Sequence, residues 1–193
     1  MFRKLLVMAF IITLSVQAKL SWGENYTFRF TRWGMTSEEV IASELKLDPI
    51  EKSENFIKYK TLVLGKNVVL VYLFAQNKLV GSSYKLEDNY INSQHFITTY
   101  QKFKRALAQK YGPAKKEEII WLNDTYRNVS SKRGLALSLG HVEYLTIWES
   151  PDTTIASILK EKNFYVNCSV EYSSKELSAL KQEPGKEDKL DPF

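Results

Sequence analysis

Between residues 56 and 86 the chain runs through three apolar stretches, 56–63, 68–75 and 79–86, with only a few residues between one and the next. Gaps this short exclude crossover connections, because parallel strands need a dozen or more residues to return to the same sheet edge. Successive stretches must turn back on one another, with Gln76-Asn77-Lys78 closing the second pair as a hairpin. An antiparallel sheet is therefore the frame on which the rest of the sequence is read. In the third stretch Val80, Ser82, Tyr84 and Leu86 share one face, and Gly81 marks a place for a bulge.

The same reading extends along the chain. Tyr26 to Thr31 alternates aromatic and polar residues, as a half-buried strand does. Residues 117–122, 134–139 and 142–149 read as strands, with Gly140-His141 as a tight turn before the last. Phe164, Val166, Cys168, Val170 and Tyr172 alternate with polar residues and predict one more strand. Helices fall between these. Thr36 with Glu39 forms a capping box, and Met35 with Val40 a hydrophobic staple, so a helix is expected from Ser37 to about Lys46. Asn92 or Ser93 caps a long helix to Tyr111, whose stripe is Phe96, Tyr100, Phe103, Leu107 and Tyr111; Gly112 and Pro113 stop it. Ser150-Pro151-Asp152 predicts a short helix to about residue 162, with proline at its first position. Ser173 and Glu176 make a second capping box, before a short last helix.

Strands joined by hairpins and interleaved with helices give the α+β class, an antiparallel sheet with helices packed on one face. A helix followed by three strands occurs twice, at 37–86 and 93–149, which raises two tandem units, 26–88 and 92–172, within one domain over 19–182. Ile41-Ala42-Ser43 with Leu45-Lys46 also recurs as Ile155-Ala156-Ser157 with Leu159-Lys160.

The termini speak to compartment. Arg3 and Lys4 precede an apolar run from Leu5 to Val16, and Val16-Gln17-Ala18 places small residues where a signal peptidase reads. This is the grammar of a secretory signal cleaved after Ala18. The run is shorter than the roughly 20 residues a membrane span needs, so a periplasmic product without a transmembrane anchor is expected. Cys168 is the only cysteine, so no internal disulfide can form and the domain must fold by burial alone. Residues 183–193 are charged and carry Pro184 and Pro192, the composition of a disordered tail. The net charge of +5 comes from lysines and arginines scattered along the chain, not from a basic stripe, and no nucleic-acid partner is expected.

Catalytic chemistry finds little support. His95 and His141 have no carboxylate or cysteine at metal-ligand spacing, so no metal is expected. No G-x-S-x-G elbow occurs, and Cys168 lies on the apolar face of its strand, where a thiol stays protonated. The eight glycines do not cluster into a phosphate cradle, and no cofactor is expected. Glu38-Glu39 opens a helix, where acids favour the positive end of the dipole, and Glu117-Glu118 suits a solvated strand edge. The polar stretch 123–133 holds Tyr126, Arg127, Lys132 and Arg133 between two strands. Tyrosine with arginine is common anchor chemistry on a loop, although a solvated hairpin loop also accounts for it. Trp121 and Trp148 are expected on neighbouring strands, as a binding platform if they face outward and as core if they face inward.

Trp33-Gly34-Met35-Thr36-Ser37-Glu38-Glu39-Val40 resembles a helix-opening motif of small exported bacterial proteins, and Tyr111-Gly112-Pro113 resembles their second hallmark. Similar patterns occur in the SmpA/BamE family of envelope assembly proteins and in β-lactamase-inhibitor-like domains. The resemblance implies helices packed on an antiparallel sheet and a place in the cell envelope. The chain departs from the assembly lipoproteins in having no cysteine to lipidate beside Ala18. Together these features predict a non-enzymatic binding module whose partner is an envelope protein or other envelope component, acting through a sheet face or the 123–133 stretch. The alternative is a small-molecule or lipid carrier with an aromatic-lined pocket, which requires the aromatic stripe of the long helix to stand away from the sheet. A hydrolase with dispersed active-site residues is a third reading.

Overall fold

The computed structural model describes residues 26–182; the signal-like segment 1–18 and the tail 183–193 lie outside the described residues. It is an α+β fold on one antiparallel sheet of eight strands with three helices. The elements are α1 (Ser37–Ser43), β1 (Glu51–Lys52), β2 (Phe56–Val63), β3 (Lys66–Ala75), β4 (Lys78–Leu86), α2 (Gln94–Tyr111), β5 (Lys116–Trp121), α3 (Arg133–Ser138), β6 (Val142–Glu149), β7 (Thr153–Lys162) and β8 (Tyr165–Ser174). Across the sheet the order is β1-β2-β3-β4-β8-β7-β6-β5. Each half is thus a meander of four strands after a helix, and the two halves meet where β4 pairs with β8. Each half has four strands, one more than the sequence suggests. The short Ile-Ala-Ser match falls in α1 on one side and in β7 on the other, so it has no structural counterpart.

Local rules place α1 and α2. Thr36 Oγ1 accepts the Glu39 N–H at 3.3 Å, and the Glu39 carboxylate accepts the Thr36 N–H at 2.8 Å, both bonds of the capping box. The helix ends at Ser43, earlier than expected. At α2 Asn92 Oδ1 accepts the Gln94 N–H at 3.0 Å, while Ser93 makes no side-chain cap. Gly112 ends that helix at φ +82°, a left-handed conformation that glycine adopts without strain. The bulge lies between β3 and β4, where Leu73 faces Gly81 but Phe74 faces Leu79, leaving Val80 as the extra residue.

Four expectations are corrected. Residues 26–31 form a tight turn, not a strand: Thr31 N–H and Oγ1 both bond back to the Phe28 carbonyl, at 2.9 and 2.8 Å. Its alternating aromatics arise because Phe28 enters the core while Tyr26 and Phe30 meet edge to face outside it, 6.2 Å apart. Residues 134–138 are helical, in α3, with Gly134, Ala136 and Leu137 as the buried side and Leu139 as its C-cap. Residues 153–162 are strand β7, not a helix: pairing with β6 and β8 on both sides outweighs the helix propensity of its second half. After Ser174 the chain makes a 3-10 turn, Ser178–Gln182, in place of a capped helix.

The register lines residues up in rows. Tyr59, Leu70, Tyr84, Val170, Ser157, Thr146 and Glu117 form one row from β2 to β5. Ile57, Tyr72, Ser82, Tyr172, Ile155 and Trp148 form the next row on the same face. Most of these side chains are buried. Tyr100 of α2 meets this face, its hydroxyl 2.6 Å from Thr146 Oγ1 and its ring 5.6 Å from Tyr144. Phe28 packs on Tyr72, Tyr84 and Tyr172 at ring separations of 5.7, 5.3 and 4.6 Å.

Candidate functional site

The connection between β5 and α3 is built from short hydrogen-bonded turns. Asn123 Oδ1 accepts the Thr125 N–H at 2.9 Å and starts the 3-10 turn Asp124–Tyr126; a second turn, Ser130–Lys132, leads into α3. Arg127 pairs with Asp124 at 3.1 Å, and both are largely exposed. Tyr126 stacks on His141, 5.8 Å between centroids and 19° between planes. The His141 carbonyl accepts the N–H groups of Leu122 and Asn123, while its own N–H reaches Ala136 O at 2.8 Å. The connection is therefore closed on His141. Burial raises the Tyr144 phenol, an effect partly offset by the Arg133 guanidinium beside it.

Gly134 fixes this assembly to α2. A Cβ there would lie 2.7 Å from the Gln94 backbone nitrogen, and backbone cannot swing aside as a side chain can. Gly134→Ala is expected to destabilise the protein by about 2 kcal/mol through overpacking, read as a lower denaturation midpoint with an unchanged slope.

The sequence-predicted residues do not form one site. Tyr126 and Arg133 flank His141 and Tyr144, and Lys132 is exposed at the start of α3. Trp121 lies opposite Val142 at one end of the β5–β6 pair. Trp148 lies six residues further along β6, roughly 20 Å away by strand rise. It is buried, and its indole N–H donates to Gly112 O at 3.1 Å. The two tryptophans share no groove, and Trp148 belongs to the core. Cys168 is buried too, and burial pushes its thiol up to about 12. His95 is exposed, its ring 5.7 Å from Tyr90. Among the described residues no group of three or more His, Cys, Asp or Glu is placed to hold a metal ion, and no helix is long and apolar enough to cross a membrane.

Two features had no signal in the sequence. The first is the ion pair of Arg29 and Glu44, Nε to Oε1 at 2.6 Å and Nη2 to Oε2 at 2.8 Å, with Glu44 also accepting the Tyr72 hydroxyl. Burial works against the Arg29 charge, but its bonds to Glu44 and Tyr84 outweigh that and hold the guanidinium above its usual value. Tyr72 is raised by burial first and by its bond to Glu44 second. The second is the other set of rows in the sheet. Lys58, Val71, Ser83, Glu171, Ala156, Ile147 and Lys116 form one; Lys60, Val69, Lys85, Ser169, Ile158, Leu145 and Glu118 form the next. Val69, Ile158, Leu145 and Ile147 are partly exposed there, and lysines and glutamates occupy the ends of the rows. Glu171 and Lys85 stand inside the rows as well, so this face mixes partly exposed apolar side chains with charged ones. Comparison with family models, curated proteins and solved structures gives no match.

Proposed function

We propose that this chain is a non-enzymatic binding module, exported to the bacterial envelope, that docks an envelope protein on one face of its sheet. The reading includes helices gathered on a single face, which leaves the other face for a partner. The observation that carries it is the register: the contacts of Tyr100 and Phe28, and the Glu44–Tyr72 bond, all run to one alternating set of residues, while the Val69–Ile158–Leu145 row belongs to the other set. The aromatic stripe of α2 supports docking over carriage, since Phe96, Tyr100 and Phe103 are all buried. Export rests on the Leu5–Val16 run and on the resemblance of residues 33–40 to exported proteins.

The test is photo-crosslinking in intact cells, with a photoreactive residue at Val69, Ile158 or Leu145 and a control at exposed Arg105 on α2. Adducts to an envelope protein from the three sheet positions and not from Arg105 are expected. Adducts from Arg105 alone, or none from the sheet, would exclude this face as the docking surface.

A further inference from the structure

The two ends of the sheet differ in chemistry. At one end the chain reverses at Leu64-Gly65, at Phe164 between β7 and β8, along 87–93 into α2, and along 122–141 between β5 and β6. Every one of these reversals carries an exposed large apolar side chain: Leu64, Phe164 with Tyr165, Ile91, and Leu122 with Leu139. Phe164 is 98% exposed and Tyr165 74%. At the opposite end the reversals read Ser53-Glu54-Asn55, Gln76-Asn77, Ser150-Pro151-Asp152 and Gly112-Pro113-Ala114-Lys115, with no exposed large apolar residue among them.

Two of the apolar residues occupy positions that suit others better. Leu64 has φ +52° and Phe164 φ +67°, the left-handed region that favours glycine or asparagine in a two-residue hairpin turn. The corresponding turn of the first half, Gln76-Asn77, has the same left-handed backbone with polar side chains. Phe164 is thus both conformationally strained and hydrated, with the Glu161 carboxylate accepting its N–H to hold the turn. Neither property favours the isolated fold, and both are consistent with an anchor used against something else.

Charge identifies the occupant. Lys102, Lys132 and Lys162 stand at this end, and Lys102 Nζ donates to the Leu64 carbonyl at 2.7 Å. The acids there are engaged within the chain: Glu87 with Lys60, Asp88 with Lys66, Asp124 with Arg127, and Glu161 with the Phe164 N–H. From β2 to β5 the apolar tips extend over six strand spacings, about 29 Å. Single protruding side chains over that width, separated by lysines, do not converge on a pocket-sized hot spot. They match a broad, deformable, anionic surface with an apolar layer beneath it.

We infer that the Phe164 end of the sheet docks on anionic lipid headgroups, with Phe164 and Tyr165 entering the interface and the lysines lying over the phosphates. This inference is independent of the sheet-face reading above. Flotation of the full chain with phosphatidylglycerol-containing vesicles, against phosphatidylcholine vesicles, tests it. Wild type should float with the former and be released by salt, and F164S/Y165S should bind roughly tenfold more weakly or worse. Leu45→Ser, which removes an exposed leucine from the α1–β1 connection, should bind as wild type does. All variants share residues 1–18, so a loss seen only in F164S/Y165S belongs to this end of the sheet. Both replaced side chains are exposed, so the double variant should keep its far-UV circular dichroism. Absence of anionic-vesicle binding, equal binding by F164S/Y165S, or binding that K102E/K162E leaves unchanged would overturn it. Crosslinks from Val69 or Ile158 are read separately and do not depend on the result.

Discussion

Replacing Arg29 with alanine is expected to cost about 3 kcal/mol, seen as a thermal midpoint lower by roughly 10 °C. The reason is what the substitution leaves behind. The Glu44 side chain is 2% exposed, and the two Arg29 contacts at 2.6 and 2.8 Å neutralise it. Without the guanidinium a carboxylate remains among Tyr59, Tyr72 and Tyr84, held only by the Tyr72 hydroxyl. A buried charge stripped of its partner is far more costly than the pair was beneficial. The comparison that separates these is the double variant R29M/E44L, which removes both charges and fills the volume with apolar groups. It should recover much of the loss relative to R29A. If R29A unfolds at the wild-type temperature, or if the double variant is less stable than R29A, the pair is not the buried contact described. Arg29 also adopts φ +49°, so its backbone conformation is one that alanine tolerates no better.

That pair shows what the sequence could and could not disclose. Rules that act within a few residues were legible: Thr36 and Glu39 announce α1, and Gly112-Pro113 announces the end of α2. Arg29 and Glu44 are fifteen residues apart, and nothing between them marks the contact, because it depends on a turn at 28–31 that reads as an alternating strand. The segment from Thr153 to Lys162 failed for a related reason. Its apolar positions fit a helical period and a strand period alike, and only the strands on both sides decide between them. The same non-locality hides the candidate docking face. Alternation in β4 and β8 was readable, but which alternate set meets Phe28 and Tyr100 is fixed by register across seven strands. The strand before the 123–133 stretch was legible, but the flank after it is the helix α3 and not the strand that the sequence suggests. The stacking of Tyr126 on His141 was not legible, since that ring arrives from beyond α3.

Trp148→Ala is expected to be the most damaging single truncation in the core, costing about 3–5 kcal/mol. The indole is 1% exposed and closes the buried row that begins at Ile57 and passes through Tyr72 and Tyr172. It also holds the end of α2, since its N–H donates to the carbonyl of Gly112, where the helix stops. Alanine therefore removes a large packed volume and leaves that carbonyl without its partner, two losses that act on the same junction of α2 and β6. Phenylalanine isolates them: it keeps most of the volume and gives up the bond, so Trp148→Phe should cost nearer 1–2 kcal/mol. Trp121, half-buried on the edge strand β5, provides the contrast, and its alanine variant should lose distinctly less. Chemical denaturation of the three variants measures the order directly. A Trp148→Ala protein as stable as wild type would mean that the ring lies outside the core, and the surface-platform reading of the two tryptophans would then regain its basis.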